Sequence, residues 1–181
     1  MDEKMKLLAE PITPKWRVQS SINGRGKCIV VPYLDARQVQ QRLDEVIGAS
    51  NWANTYGAES GTASIGIRIG KEFVYKSDVG DDTKVEKVKG KASDAFKRAA
   101  VVWGIGRSIY QIGSKVIDFS EKDKKPMTPS GTILYTPEQL SNYMNGLNES
   151  VGLLMQIWNN KKDKQSDPEF VKAISELKKW L

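Results

Sequence analysis

The chain contains no histidine and one cysteine, Cys28, in 181 residues. An intrachain disulfide is excluded, as are zinc sites built on the usual cysteine and histidine sets. Without histidine the chain lacks the side chain most often used as a general base near neutral pH. An enzyme here would have to work through carboxylates, lysine or tyrosine. No apolar run has membrane-spanning length, and residues 1–10 alternate charge with Leu7 and Leu8 instead of forming a signal-peptide core. These absences predict a cytoplasmic protein with no membrane partner. Nucleotide signatures are missing too. No glycine stands five residues ahead of a Gly-Lys-Ser/Thr, so there is no P-loop. Gly104-Ile105-Gly106 lacks the third glycine of a dinucleotide fingerprint and follows a helical pattern, not a strand. Neither an enzymatic activity nor a cofactor is expected.

What the chain has is localised positive charge. Residues 83–115 hold eight basic residues (Lys84, Lys87, Lys89, Lys91, Lys97, Arg98, Arg107, Lys115) against Glu86 and Asp94, while the other 148 residues carry twenty of each sign. The whole net charge of +6 therefore sits in one segment, the electrostatic footprint expected of a polyanion binder. A plain solvated helix face is the commoner fate of a lysine-rich stretch taken singly.

Local patterns predict the elements around that segment. Residues 1–9 suit a short amphipathic helix ended by Pro11 and Pro14, and 16–21 and 27–31 read as a hairpin around Asn23-Gly24-Arg25-Gly26. Asp35 with Gln38 forms a capping box for a helix whose apolar face is Val39, Leu43 and Val46, stopped at Gly48. Three antiparallel strands follow at 52–59, 64–69 and 72–79, with Ile65, Ile67 and Ile69 alternating against Gly66 and Arg68. From 83 to about 110 the period becomes helical, Val85, Val88, Ala92, Ala95, Phe96, Ala99, Val102 and Trp103 making one apolar arc that should cover the sheet. Residues 113–131 carry no period and read as a loop or linker. Thr136-Pro137, with Gln139 completing a capping box, opens a further helix, and Asp167-Pro168 opens a last one ending at Leu181. The fold class is α+β: an antiparallel β-sheet packed against a long basic helix, a β-β-β-α core, with a helical C-terminal tail.

At 100° per residue, Lys84, Lys87, Lys91 and Arg98 fall within about 60° of one another, beside the apolar arc. Such a stripe follows a phosphate backbone without reading sequence, leaving base edges free. Asp94, one turn before Arg98, can hold its guanidinium by an i,i+4 pair. Gly90 and Gly104-Ile105-Gly106 cost about 1 kcal/mol each in a helix relative to alanine, so either close backbone approach or helix termination near Gly104 has to account for them.

An ordered set of short motifs carries a family resemblance. Pro32-Tyr33-Leu34-Asp35-Ala36-Arg37-Gln38-Val39, Gly48 through Asn51-Trp52, Asp78-Val79-Gly80, Lys89-Gly90-Lys91-Ala92-Ser93-Asp94-Ala95-Phe96-Lys97-Arg98-Ala99-Ala100, and Trp103-Gly104-Ile105-Gly106-Arg107 together resemble the Rad-fifty-two superfamily of single-strand DNA annealing proteins, most of all its phage and bacterial branch. The resemblance covers about residues 12–118. It implies a β-β-β-α core assembled as a homo-oligomer, a ring or helical filament, with DNA in a positive groove. It also implies ATP-independent annealing of complementary strands in homologous recombination and DNA repair. A Lys-Arg pair lining the groove falls on Lys97 and Arg98. A third basic residue one turn on is replaced by Val101, leaving Lys87, Lys91 or Arg107 to compensate. A corner residue of a second, outer DNA site aligns with Lys71. Another groove arginine aligns with Gln38, leaving Arg37 as its nearest candidate. The expected organisation is then an annealing core at 1–118, a linker at 119–131 and a helical region at 132–181. A host single-strand-binding protein or a phage exonuclease is a further partner the resemblance leaves open, and the host cytoplasm the setting if the chain is phage-encoded.

Three other readings compete. Asp78, Asp81 and Asp82 could serve as a nuclease-like metal cluster, against their use as a polar turn ahead of the basic helix. Trp52, Tyr56, Phe73 and Tyr75 lie on predicted strands where aromatics can stack bases, so the chain could be a passive single-stranded DNA or RNA binding module without annealing activity; for Trp52 and Phe73 core and sheet packing is the favoured role. Val151, Leu153, Leu154, Ile157 and Trp158 form a tail stripe that could pack on the core, on a neighbouring copy or on another protein.

Overall fold

The computed structural model describes residues 2–22, 24–57, 61–80 and 87–160, together with 168, 171, 172, 174 and 175. The chain forms two compact units, one of Met1–Ile12 with Leu34–Ile112, the other of Thr13–Tyr33 with Gly113–Leu181. The fold is α+β, with antiparallel sheets and a long C-terminal helix.

In the first unit, helix α1 (Asp2–Ala9) buries Leu8, and helix α2 (Ala36–Val46) buries Val39 and Leu43. The α2 capping box forms as its sequence predicts: the Asp35 side chain accepts from backbone N–H groups of the first turn, while Asp35 N donates to Gln38 Oε1 at 3.0 Å. Arg42, on α2, ties down the end of α1 by donating to the carbonyls of Leu7 (2.7 Å), Glu10 (3.1 Å) and Pro11 (3.3 Å).

Strands β3 (Trp52–Gly57), β4 (Thr62–Ile69) and β5 (Glu72–Val79) make an antiparallel sheet in that order. Its alternation sends Ala63, Ile65 and Ile67 to one face, where all three are fully buried. Helix α3 (Lys87–Val102) packs on β4 and β5 and closes that face with Ala95, Phe96, Ala99 and Ala100. Burying a side chain such as Phe96 or Ile65 contributes about 1.5–3 kcal/mol. Trp103 is buried just past the helix and donates its Nε1–H to the Ile65 carbonyl at 2.9 Å, so its one polar atom is satisfied.

The expected long helix is shorter than its period suggested. Gly104 (φ 99°) and Gly106 (φ 75°) adopt positive φ, which ends α3, and a separate short helix α4 (Ile109–Ile112) follows. Both glycines are also close approaches: a Cβ on Gly104 would meet Ala9 Cβ at 3.2 Å, and one on Gly106 would meet Leu34 Cδ2 at 2.8 Å. Termination and tight packing thus both account for them. Val102, placed on the apolar arc by its spacing, is 37% exposed because it sits at the arc's rim, whereas Ala100 is fully buried. The start of the expected helix, residues 83–86, lies outside the described residues.

In the second unit, hairpin β1 (Lys15–Ile22) and β2 (Lys27–Tyr33) continues into β6 (Lys115–Ser120) and β7 (Lys125–Met127), giving an antiparallel sheet of order β1-β2-β6-β7. The stretch read as an aperiodic linker therefore contains two strands, and the expected boundary after residue 118 falls inside β6. Ile117 and Phe119 face inward. Two inward residues among Ser, Lys, Asp and Pro make too short an alternation to register as a strand, and β6 is held by β2, about ninety positions earlier in the chain. Helix α5 (Pro137–Asn160) packs on β1 and opens with its capping box in place, Gln139 N donating to Thr136 Oγ1 at 3.1 Å. Trp16 is fully buried and donates Nε1–H to Asn145 Oδ1 at 2.9 Å, while Asn145 Nδ2 donates to the Pro14 carbonyl at 3.0 Å. Burial pushes the Cys28 thiol up to about 11, with the Asp118 carboxylate adding to the shift, so the lone cysteine is held as an unreactive thiol. The same two causes raise Tyr143. Of the tail stripe, Val151 and Leu153 are exposed and Leu154 half-buried; the side chains of Ile157 and Trp158 lie outside the described residues, as does most of the last predicted helix.

The seat of α3 on the sheet depends on Gly80, at the end of β5. A Cβ there would collide with the Lys91 carbonyl oxygen and come within 2.9 Å of the Ala95 amide nitrogen, both backbone atoms that cannot rotate away. Gly80→Ala is expected to destabilise the protein by about 1–3 kcal/mol, lowering Tm by several degrees. Gly152→Ala, in α5 with nothing within 4 Å of the added Cβ, should be neutral or stabilising by up to about 1 kcal/mol. Equal melting temperatures for the two variants would contradict the tight seat.

Candidate nucleic-acid interface

The basic residues are held by α3 because that helix must cover the sheet, which leaves its flank to the charges. Lys87, Lys91 and Arg98 occupy positions i, i+4 and i+11, one line along the helix, with Asp94 interposed on the same line. Lys91 runs along Gly61 at the start of β4, where its Cδ and Nζ would stand 2.8 and 2.9 Å from an added Cβ. Lys87 and Lys89 belong to the first turn of α3, their side chains lying outside the described residues, and Lys84 lies outside them altogether. Lys89 falls on a different side of the helix from that line by its spacing.

Lys97 and Arg98 are each partly exposed and each beside a carboxylate. Lys97 Nζ stands 3.8 Å from Asp94 Oδ1, and Arg98 Nε stands 3.6 Å from Asp78 Oδ1 on β5. These separations exceed a direct hydrogen bond, and partly exposed ion pairs are worth about 0–1 kcal/mol. Both cations are therefore held near an acid by weak ion pairs. Asp78 is an ion-pair partner of Arg98 on β5; Asp81 and Asp82, the other two residues of the carboxylate-cluster reading, lie outside the described residues. Among the described residues no group of three His, Cys, Asp or Glu side chains is placed to hold a metal ion.

The C-terminal end of α3 gathers a second set of cations. Arg107 donates Nε–H to the Val101 carbonyl at 3.1 Å and an Nη2–H to the Val102 carbonyl at 3.2 Å. Lys76, on β5, donates to the same Val102 carbonyl at 3.3 Å and lies 4.2 Å over the Trp103 ring. Cations at this end satisfy the last carbonyls and oppose the negative pole of the helix. Arg107 thus has a structural task that uses two of its five N–H groups. Arg37, in the first turn of α2, and Lys71, at the β4–β5 corner, are exposed and stand on other elements than the α3 stripe.

The aromatic residues divide. Trp52 packs on Phe96 with ring centroids 6.4 Å apart and donates its indole N–H to Asp44 at 2.7 Å, which is the core role its spacing suggested. Phe73 is not core. The register pairs it with Arg68 on the sheet face away from α3, and the Arg68 guanidinium lies 5.1 Å over its ring. Tyr56 and Tyr75 are each about half exposed.

No protein-family model matches the chain. Two curated proteins resemble it. The single-stranded DNA-binding protein DdrA of Deinococcus deserti is 29% identical over 118 residues, covering 63% of this chain and 58% of the relative. Its counterpart from Deinococcus radiodurans is 30% identical over 118 residues, covering 63% and 56%. Both relatives are named for single-strand binding. The chain spans less than two thirds of the length of these relatives.

Two residues of this surface were missed from sequence. Lys76 reads as an ordinary strand lysine until α3 is laid across β5, and nothing local announces that it will cap a helix. Arg68 carried a legible signal, since the alternation that sends Ile65 and Ile67 inward sends Gly66 and Arg68 to the opposite face.

Proposed function

We propose that this chain binds single-stranded DNA and pairs complementary strands without ATP, acting in recombination and repair as a ring or filament of identical subunits in the cytoplasm. One observation carries the reading. The whole net charge of the chain lies in the segment that forms α3 and its flanks, in a protein whose relatives are named for single-strand binding. In this reading Lys97 and Arg98 grip phosphates, Lys84, Lys87, Lys89, Lys91 and Arg107 add to the field, and Arg37 and Lys71 contact the strand outside the stripe. Contacts to phosphate release counterions and supply affinity without reading bases. Bases left free can then pair, and base pairing itself drives the reaction while the protein supplies proximity. No nucleotide, metal or catalytic side chain takes part in that scheme.

A passive single-strand binder is the second reading. It is favoured by the relatives' printed name, which says binding and nothing of strand pairing. Both readings use the same α3 cations and differ in what happens when two strands are present.

Lys97→Ala with Arg98→Ala should weaken binding for all sequences alike. Each phosphate contact to a single strand contributes about 0.7 to the slope of log affinity against log salt, so losing both should flatten it by about 1.4. An unchanged slope in a fluorescence-anisotropy salt series would remove both residues from the interface. In light scattering the wild-type protein should run far above the 20.2 kDa of one chain. A strict monomer, with and without DNA, would contradict the ring or filament.

A further inference from the structure

The sheet of the first unit has two faces, and α3 occupies one. On the other, the β4–β5 register sets Gly66 opposite Tyr75, Arg68 opposite Phe73 and Ser64 opposite Ser77. Tyr75 does not stand off this face. A Cβ on Gly66 would find Tyr75 Cε1 at 2.5 Å, Cζ at 2.8 Å and Cδ1 at 2.9 Å. Three consecutive ring atoms nearly equidistant from one point mean that the ring lies flat over the glycine and does not meet it edge-on. Any larger residue at position 66 would lift it. With one ring face turned to the strand and the side chain 51% exposed, the other ring face is open.

Phe73 continues the surface. Its ring centroid is 6.1 Å from that of Tyr75 with the planes inclined by 32°, and the Arg68 guanidinium lies 5.1 Å over the Phe73 ring. The Ser64 and Ser77 hydroxyls pair at 2.7 Å beyond Tyr75. Glu72 and Asp78, the two acids of β5, alternate to the α3 side. Among the described residues, no carboxylate stands on a β4 or β5 position of the outer face. The surface therefore combines flat π faces, a planar cation and hydroxyls, with no carboxylate at these described positions.

We infer that this face is a base-stacking platform: Tyr75 receives an unpaired base of a single strand, and Arg68, held over Phe73, offers a guanidinium plane and a positive charge beside it. The inference rests on the proposed single-strand binding and adds the surface that recognises bases. Stacking on aromatic and guanidinium planes tolerates any base, because every base has a π face. It also rejects intact duplex, whose base faces are covered by their neighbours. The α3 cations alone could not make that distinction, since both forms carry phosphates. A second copy of this chain is a poorer fit to the face, which mixes a cation and hydroxyls with its rings and offers no continuous apolar patch.

The test compares an oligothymidine with an abasic strand of equal length, which keeps the sugar-phosphate backbone and lacks bases. The wild-type chain should prefer the oligothymidine. Tyr75→Ala should weaken oligothymidine binding roughly tenfold and leave abasic binding unchanged, while Tyr75→Phe should keep the preference. An equal loss on both strands, an unchanged preference in Tyr75→Ala, or a change in assembly mass without a change in preference would each overturn the platform. A wild-type chain that binds neither strand would overturn the single-strand reading and the platform with it. A wild-type chain that binds both equally would overturn the platform alone.

Discussion

The contact between α3 and the β4–β5 sheet is the constraint on which the first unit depends. Gly80 lets the helix backbone come down onto the end of β5, Phe96 and the alanines fill the space over Ile65 and Ile67, and Trp103 hydrogen-bonds back into the middle of β4. That seating fixes which side of α3 is buried, and therefore where its charges go. Lysine and arginine are not buried unpaired, so a helix with one flat apolar side must carry its cations along the flank. A basic stripe beside a packed sheet follows from the fold; its density, and the neutrality of the rest of the chain, do not. Those are what suggest a polyanion.

The carboxylates near the stripe refine the same point. Asp78 and Asp94 stand near Arg98 and Lys97 at distances longer than a hydrogen bond. Such partners hold a long side chain near one direction at little energetic cost. At the end of the helix Arg107 and Lys76 are differently placed, because they satisfy backbone carbonyls that would otherwise face solvent unpaired. Within one basic segment, then, the C-terminal cations build the helix end and the central ones stand in ion pairs along its flank.

Much of this was legible in the chain itself where the determining signal is local. The Asp35–Gln38 box, the Thr136–Gln139 box, the Ile65-Ile67 alternation and the Ala95-Phe96-Ala99 arc each specify an element within a turn or two. What was not legible depends on distant partners. β6 exists because β2 is there to pair with it, so composition alone suggested a linker. Gly104 and Gly106 carried a visible cost, but the shapes that require them, Ala9 and Leu34, lie far away in sequence. That Phe73 packs on the sheet rather than in the core depends on the register, which sets it on the face away from α3, under Arg68. The aromatic residues at 73 and 75 become intelligible as a pair once Gly66 is seen beneath the second of them.

In the proposed function, α3 holds strands in a state ready to pair. The most direct measurement is the rate at which two complementary labelled oligonucleotides anneal at moderate salt without nucleotide, with and without this protein. Annealing by this chain predicts pairing well above the spontaneous rate, with a dependence on protein concentration that saturates when the strands are coated. Tight binding of each strand with no acceleration, or with slower pairing than in buffer, would contradict annealing and leave a passive single-strand binder.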